Sequence, residues 1–322
     1  MDRNLALNLV RVTEAAALES ARFLGRGDKN AADQAAVDGM RKMFDTLTID
    51  GTVVIGEGEL DEAPMLYIGE RIGKAVEGSP ELDIAVDPLD GTTSVAMGLS
   101  NAISVVAVAP KGCLLHAPDM YMMKIAVGPK AKGCVDINAS VEENLMNVAN
   151  ALNKDISDIT VTILDRPRHK ELIDSVRKVG ARIKLFSDGD VAAAIATCFD
   201  HSGVDVLMGI GGAPEGVLAA AALKCMEGEL QGKLNPMTDE QRRRCSEMGA
   251  DVEKVYTLDD LVRGDEIIFA ATGISDGELL KGVGFYEKNM ARTYSVVMRA
   301  ETGTIRFIEA LHKLDKKPEY AK

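Results

Sequence analysis

Residues 159–271 alternate between short β-branched runs and amphipathic stretches of about ten residues, and this alternation constrains the fold more than any other feature. Strands that alternate with helices of this length indicate βαβ units around a parallel sheet. The pattern predicts, in chain order, a strand over residues 159–164, a helix over 168–179, a strand over 182–186, a helix over 191–199, a strand over 204–208, a helix over 214–226 and a strand over 267–271.

The first half of the chain has a different rhythm, with helical spacing giving way to isolated strands. A soft boundary is predicted near residue 155, inside the polar stretch 153–158. The other predicted elements are helices over residues 5–25 and 30–47, a strand over 52–55, a helix from Pro64, strands over 83–86 and 102–109, antiparallel strands over 112–127 that turn at 117–119, and a hairpin over 292–308 that turns at Thr302-Gly303.

Composition narrows the class of protein. The 322 residues are 46 % apolar and carry 50 acidic against 37 basic side chains, so a net charge of −13 disfavours nucleic acid as a partner. The five cysteines are widely spaced and odd in number, which favours reduced thiols over a disulfide framework. The chain begins Met1-Asp2 without an apolar signal segment, and no apolar run approaches bilayer length. We expect a cytoplasmic α/β protein that acts as an enzyme.

An acidic segment, Gly56-Glu57-Gly58-Glu59-Leu60-Asp61-Glu62, follows the predicted strand over residues 52–55. Four carboxylates in six positions repel one another unless a cation or solvent compensates them. The segment is therefore either a solvated turn or a metal site whose glycines let the backbone turn tightly. Asp33 lies four residues before Val37, on the apolar face of its helix.

A second acidic segment, Asp87-Pro88-Leu89-Asp90-Gly91-Thr92-Thr93, follows the strand over residues 83–86. Its two carboxylates are three residues apart, and Gly91 can adopt a positive φ that lets the following N–H groups surround an anion. These features fit a divalent metal beside a phosphate. The alternative is a plain turn that ends in a threonine cap.

Three segments of the second half add candidate residues. Glu215, in Gly209-Ile210-Gly211-Gly212-Ala213-Pro214-Glu215-Gly216, is either a metal ligand or a complement to a helix dipole; the dinucleotide pattern fails at Pro214. The basic loop Arg166-Pro167-Arg168-His169-Lys170 suggests an anionic ligand, and a solvated helix start explains it about equally well. Ser187-Asp188-Gly189-Asp190 is either a helix cap or a receptor for sugar hydroxyls.

Taken together, these segments resemble a known family. The segment Asp87–Thr92 resembles the signature of the lithium-sensitive, metal-dependent sugar and inositol phosphatases, and the joint set resembles the class II fructose-1,6-bisphosphatases of bacteria. The other segments that carry the resemblance are residues 29–33, 54–59, 63–70, 117–122 and 209–216. The likeness covers nearly the whole chain. Many class II members carry Glu where this chain has Asp90, which keeps the charge and shortens the reach to a metal.

The resemblance implies a layered α-β-α-β-α sandwich, with a mixed sheet in the N-terminal half and a mainly parallel sheet in the C-terminal half. It implies a metal and phosphate domain over residues 1–155 and a sugar-binding domain over 156–322. Its implied reaction is hydrolysis of the 1-phosphate of fructose 1,6-bisphosphate in gluconeogenesis, with Mn²⁺ or Mg²⁺ as cofactor, in a homo-oligomer (dimer or tetramer).

The resemblance also implies site residues. Asp33, Glu57, Asp87, Asp90 and Glu215 would hold the metal. The catalytic residues would be Thr92, Asp61 and Lys29. The substrate would contact Asp90, Gly91, Thr92, Tyr121, Arg166, Arg168, Asp188, Gly189, Asp190 and Gly212. The predicted mechanism is direct in-line attack by a metal-bound hydroxide that Thr92 positions. The Thr92 hydroxyl in turn donates a hydrogen bond to the carboxylate of Asp33 or Asp61.

Other activities remain open at this point. An inositol monophosphatase-like or nucleotide 3′-phosphatase activity would share the Asp87–Thr92 segment, whereas the arginine pair favours a substrate with a second phosphate. Sedoheptulose 1,7-bisphosphate is a possible additional substrate. A phosphosugar-binding regulator without catalysis is the third alternative, and the intact Thr92 and carboxylates argue against it.

Overall fold

The computed structural model describes residues 4–58, 65–287 and 289–317. The chain divides into two compact units. The first unit is discontinuous and comprises Met1–Leu114 with Gly264–Lys322; the second comprises Leu115–Arg263. The predicted boundary near residue 155 differs from this division, because the strand before it pairs only with strands from the second half of the chain.

The helices and strands mostly follow the predicted positions. The helices are α1 (Leu5–Ser20), α2 (Lys29–Phe44), α3 (Thr92–Met97), α4 (Val141–Leu152), α5 (Lys170–Val179), α6 (Asp190–Ala196), α7 (Ala213–Cys225), α8 (Asp239–Glu247) and α9 (Leu258–Leu261). The strands are β1 (Asp50–Ile55), β2 (Arg71–Ile72), β3 (Glu81–Asp90), β4 (Ile103–Pro110), β5 (Tyr121–Val127), β6 (Thr160–Leu164), β7 (Arg182–Phe186), β8 (Val206–Gly212), β9 (Glu229–Leu234), β10 (Ile268–Gly273), β11 (Gly284–Phe285), β12 (Met290–Arg299) and β13 (Thr304–Lys313).

The sheet of the first unit has the order β11-β12-β10-β4-β3-β1-β2, with β13 paired to β12. Only β1 and β3 run parallel among these neighbours, so the predicted mixed sheet is confirmed. Its central strand β4 is buried along seven of its eight residues, which explains its uninterrupted apolar sequence. Helices α1 and α2 contribute buried residues to the same core.

The sheet of the second unit has the order β7-β6-β8-β5-β9. Its strands β7, β6 and β8 are parallel, whereas β5 pairs antiparallel with both β8 and β9. The prediction of a mainly parallel sheet in the C-terminal half is therefore wrong for this sheet, which is evenly mixed. Strand β9 was not predicted, and β5 was predicted only as part of an antiparallel pair within residues 112–127, so neither was counted in the predicted parallel sheet.

Two local predictions are also wrong. Residues 65–70, where the helix from Pro64 was expected to continue, form turns, and the following strand β2 pairs with β1. The predicted strands over 112–127 reduce to β5, because the N–H of Leu114 is bound by the buried carboxylate of Asp83, at 3.1 Å, instead of by a neighbouring strand. The C-terminal hairpin is confirmed, with β12 and β13 joined through Gly303 at φ +58°.

The mixed α/β class with two sheets is thus confirmed. Within the described ranges, no helix combines the length and the apolar character needed to cross a membrane.

Candidate active site

The first group of predicted site residues lies where β3 ends and α3 begins. The pairing of β3 with β4 shifts register between Asp87 and Asp90, which marks a β-bulge at the end of the strand. Oδ1 of Asp87 accepts the N–H of Leu89 at 3.1 Å, and the Asp90 side chain is buried. The bulge therefore places two carboxylates at the strand end without a regular ladder between them.

Gly91 connects these carboxylates to Thr92, the first residue of α3. Its φ is +113°, and a Cβ atom at this position would lie 3.1 Å from Cα of Ala102. Both constraints disfavour a side chain, since a positive φ strains L-residues and a Cβ atom would press against the Ala102 backbone. The positive φ of Gly91 agrees with the turn predicted between Asp90 and Thr92.

Lys29 and Asp33 lie in the first half of α2. The helix is capped by Asp28, which accepts the N–H of Ala31 at 2.9 Å. Nζ of Lys29 donates a hydrogen bond to Oγ1 of Thr93 at 2.9 Å, so α2 is tied to the first turn of α3. Asp33 is half-buried, and burial raises the pKa of its carboxyl group. A carboxylate in this position is stabilised by a nearby cation.

Glu57 follows β1, and its N–H donates to the carbonyl of Leu66 at 3.0 Å. The next residue, Gly58, has φ +132°, which confirms the predicted tight turn after the strand. Asp61, predicted as a catalytic residue, lies outside the described residues, as do Glu59 and Glu62.

In the second unit, Tyr121 and Arg168 form a stacked pair. Cζ of Arg168 lies 4.6 Å from the centre of the Tyr121 ring, which favours a fixed guanidinium plane. Arg168 donates through Nε and Nη2 to the carbonyl of Ile210, at 3.1 and 2.7 Å. Arg166 precedes the turn Pro167–His169, and its Nη1 donates to the carbonyl of Asp165 at 2.9 Å. Tyr121 is paired with Gly212 in the β5–β8 ladder.

The Asp188-Gly189-Asp190 segment leads into α6, with Gly189 at φ +92° immediately before the helix. Asp190 accepts a hydrogen bond from Nζ of Lys124 at 2.5 Å, and the same ammonium donates to the carbonyl of Gly212 at 2.9 Å. Lys124 thus links two of the predicted substrate-binding residues. Oδ2 of Asp188 is buried and has no hydrogen-bond partner among the described residues.

Glu215 lies in the first turn of α7, where it folds back over Gly212. A Cβ atom on Gly212 would overlap Oε2 of Glu215, so the glycine provides the space that the carboxylate occupies. This oxygen is buried without a hydrogen-bond partner in the part of the chain that the structure describes. Burial raises the pKa of Glu215, an effect opposed by the positive charge of Lys124 and reinforced by Asp190.

These carboxylates fit a divalent cation in their chemistry. Oxygen ligands of this kind are those that Mg²⁺ and Mn²⁺ prefer, and a buried carboxylate oxygen without a partner is costly unless a cation compensates it. Burial raises the pKa of Asp33 and of Glu215, so a cation beside either carboxyl group would stabilise its charged form. Across residues 4–58, 65–287 and 289–317, however, His, Cys, Asp and Glu form no cluster of three or more that could hold a metal ion. The complete ligand set remains a prediction.

Sequence reasoning missed two residues of this region. Lys124 was overlooked as one member of an antiparallel strand, although a lysine within the otherwise apolar run Met122–Val127 signals a buried charge that needs a partner. His169 was treated only as part of a basic loop, whereas its ring is buried and bound at both nitrogens. A single sequence carries no signal for the second case.

The sequence matches the model of the bacterial fructose-1,6-bisphosphatases described as glpX-encoded, over residues 3–312, and the chain belongs to this family. Members of the family are metal-dependent phosphatases.

Two bacterial enzymes support this assignment. The fructose-1,6-bisphosphatase 1 class 2 of Escherichia coli K12 is 50 % identical over 330 residues, which cover 98 % of this chain and 97 % of the relative. The class 2 fructose-1,6-bisphosphatase of Shigella flexneri shows the same identity and coverage. Among solved structures, the extragenic suppressor protein suhB of Bartonella henselae is similar at a TM-score of 0.35 and 16 % identity, covering 61 % of this chain and 74 % of its own. An extragenic suppressor from Pyrococcus furiosus gives a TM-score of 0.30 at 14 % identity, covering 60 % and 68 %.

Proposed function

We propose that this protein hydrolyses fructose 1,6-bisphosphate to fructose 6-phosphate and phosphate, a step of gluconeogenesis. The observation that carries the proposal is the family match over residues 3–312, which includes all the candidate site residues. The stacked Tyr121–Arg168 pair supports a bisphosphate substrate over an inositol monophosphate, because it presents a fixed cationic fork suited to a second phosphate.

We propose Mn²⁺ or Mg²⁺ as the cofactor, held by Asp33, Glu57, Asp87, Asp90 and Glu215. A divalent cation in such a site neutralises charge on phosphate oxygens and lowers the pKa of water. The raised pKa values of Asp33 and Glu215 and the partnerless Oε2 of Glu215 support this ligand set.

The reaction is proposed to proceed by direct in-line attack of water at phosphorus. Thr92 would orient the attacking water through its hydroxyl, with Asp33 or Asp61 accepting the proton of that hydroxyl. Lys29 would place its ammonium beside the first turn of α3, where its bond to Thr93 holds it. This positive charge would stabilise the negative charge that develops on the phosphate oxygens.

Arg166, Arg168 and Tyr121 would bind the phosphate that is not cleaved. Asp188, Gly189, Asp190 and Gly212 would bind the sugar, and Asp90, Gly91 and Thr92 the reacting phosphate. Sedoheptulose 1,7-bisphosphate is a proposed additional substrate, since it presents the same two ends. A homo-oligomeric state and a cytoplasmic location are proposed from the family resemblance alone.

The proposal is tested by measuring phosphate release from fructose 1,6-bisphosphate, sedoheptulose 1,7-bisphosphate and inositol 1-phosphate. We expect turnover of the first with Mn²⁺ or Mg²⁺, complete loss of activity with excess EDTA, and recovery when the metal is restored. Preferential hydrolysis of inositol 1-phosphate would favour the monophosphatase alternative. Absence of turnover on every substrate, with tight binding of fructose 1,6-bisphosphate, would favour the regulator.

A further inference from the structure

The parallel pairing of β6 with β8 is short. It joins Val161 to Val206 and Thr162 to Leu207, and Ile210 lies beyond it on β8. The main-chain groups of Ile210 are instead bound by two side chains. Its N–H donates to Nε2 of His169 at 2.7 Å, and its carbonyl accepts from Nε and Nη2 of Arg168. Neighbouring side chains thus take the place of a strand at this point of the sheet.

His169 is bound on both sides of its ring. Nδ1 lies 2.6 Å from the carbonyl oxygen of Leu164, at the end of β6. A carbonyl only accepts and the Ile210 N–H only donates, so the ring must carry its proton on Nδ1 and leave Nε2 as an acceptor. The ring is 1 % exposed, and burial lowers its pKa, which keeps it neutral. It therefore acts as a rigid bridge from the end of β6 to β8.

This bridge affects Arg168 through the residue that they share. Arg168 uses two of its five N–H donors on the Ile210 carbonyl, and the Tyr121 ring lies against its guanidinium plane. Nη1 has no hydrogen bond to the described protein, so its donors remain available for a phosphate oxygen. The direction of those donors depends on where the Ile210 peptide is held, and His169 holds that peptide.

We propose that His169 is a positioning residue for the phosphate that is not cleaved. His169 holds the Ile210 peptide in place, and the carbonyl of that peptide holds the Arg168 guanidinium. The guanidinium is therefore already oriented when it binds the phosphate that is not cleaved, which is the distal phosphate of the substrate. The inference rests on the proposed function, in which Arg168 binds this phosphate. Its specific consequence is that His169 governs the KM for a bisphosphate and leaves the hydrolysis of a substrate without the distal phosphate unchanged.

The test compares three substitutions by the bond that each retains. His169→Gln places an amide oxygen near the Nε2 position and keeps an acceptor for Ile210. His169→Asn is shorter and keeps only the donor to Leu164. His169→Phe removes both bonds and retains the ring. We expect Asn and Phe to raise the KM for fructose 1,6-bisphosphate about three- to tenfold with kcat little changed, and Gln to restore most of the loss.

Fructose 1-phosphate is the matched control substrate, because it carries the scissile ester and lacks the distal phosphate. Its kcat/KM should be the same in wild type and in all three variants. In an Arg168→Ala background, His169→Phe should cause no further rise in the KM for the bisphosphate. Both substitutions act on the same contact, between Arg168 and the phosphate that is not cleaved. If the Phe variant does not fold, the contrast between Gln and Asn decides the question.

Three outcomes would overturn the inference: an unchanged bisphosphate KM in the Asn and Phe variants, equal losses on both substrates, or additive effects with Arg168→Ala. If one of these outcomes is found and the wild-type protein hydrolyses fructose 1,6-bisphosphate, the inference about His169 is wrong and the proposed function stands. Wild-type protein that fails to hydrolyse it would overturn the proposed function, and this inference with it.

Discussion

Nζ of Lys124 lies 2.5 Å from Oδ2 of Asp190, and only 3 % of the lysine side chain and 11 % of the aspartate side chain are exposed. The neighbouring residues make room for this ion pair, since a Cβ atom on Gly211 would overlap the Asp190 carboxylate. The ammonium also donates to the carbonyl of Gly212, so it ties the start of α6 to the end of β8. The pair fixes two segments that the family resemblance assigns to the sugar.

Removing the lysine charge should therefore destabilise the protein strongly. Lys124→Met leaves Asp190 buried without its partner, and breaking a buried ion pair from one side costs about 3–5 kcal/mol. The measurement is the free energy of unfolding in urea. The matched control is Lys130→Met, because Lys130 pairs with Asp200 at the surface, with 64 % and 82 % of the two side chains exposed. The control should lose little stability, because solvent screens an exposed ion pair. Equal losses in the two variants would contradict the prediction.

Thr92 should be separable from the metal ligands by substitution. Its hydroxyl is neutral, so Thr92→Ala should bind metal and substrate nearly as wild type does and lose about 10²–10⁴ in turnover. Thr92→Ser should recover part of the rate, less well because the missing methyl group no longer restricts χ1. Glu57→Ala and Asp87→Ala should lose metal affinity and rate together. Metal binding by calorimetry beside single-turnover rates checks both patterns, and a wild-type rate in Thr92→Ala would remove its catalytic role.

Arg168→Ala should act mainly on KM. Loss of one charge-assisted phosphate contact costs roughly 1.5–3 kcal/mol, which corresponds to at least about a tenfold rise in the KM for fructose 1,6-bisphosphate. Steady-state kinetics measures this rise. Arg177→Ala, on the exposed side of α5, is the control and should leave KM unchanged. If the two variants have the same KM, Arg168 does not bind the substrate.

The free energy of unfolding should depend on pH through protonation of the His312 ring. Burial lowers its pKa from the ordinary value of 6.5 to about 4, so the unfolded chain binds the proton more readily throughout that interval. The contribution of His312 to stability is complete above pH 6.5 and is lost as the pH falls to about 4. Glu14, whose Oε1 is 3.7 Å from Nε2 of His312, works in the opposite direction because burial raises its pKa.

Substitution of His312 tests its contribution to this pH dependence. The stability advantage of wild type over His312→Gln should shrink as the pH falls from 6.5 to 4, as measured by urea unfolding at several pH values. His116→Gln, at an exposed position, should track the wild type across the same range. A constant difference between wild type and His312→Gln would show that His312 does not titrate in this interval.

The α/β class and most element positions could be predicted from the sequence, because they depend on local periodicity. The acidic strand ends could also be predicted, because carboxylates cluster in sequence only where a cation or solvent compensates their charge. The parallel share of the second sheet was overestimated, because β9 was not predicted and residues 112–127 were expected to pair with each other, whereas β5 pairs with β8 and β9. The boundary predicted near residue 155 also differs from the division of the structure into two units. A polar stretch at residues 153–158 resembles a linker, yet it leads into β6 of the same unit.

The side-chain contacts of the candidate site lay beyond sequence reasoning for a physical reason. His169 contacts Ile210, and Lys124 contacts Asp190, across intervals of the chain that only the sheet brings together. Residue type indicated that Lys124 needed a partner and did not identify it. One indication of the β-bulge at Asp87 was present in the sequence, which is Pro88, because a proline inside a strand is typical of a bulge or an edge.

The discontinuity of the first unit has a consequence for synthesis on the ribosome. Strand β4 is central in its sheet, but its neighbour β10 is translated only after the entire second unit. At about 5–20 residues per second, the apolar edge of β4 waits on the order of ten seconds for its partner. During that time the nascent N-terminal segment exposes an unpaired, strongly apolar strand edge of the kind that associates with other chains. Rapid completion of the second unit, or protection of the emerging chain by a chaperone, would therefore decide how much of the protein reaches the native state.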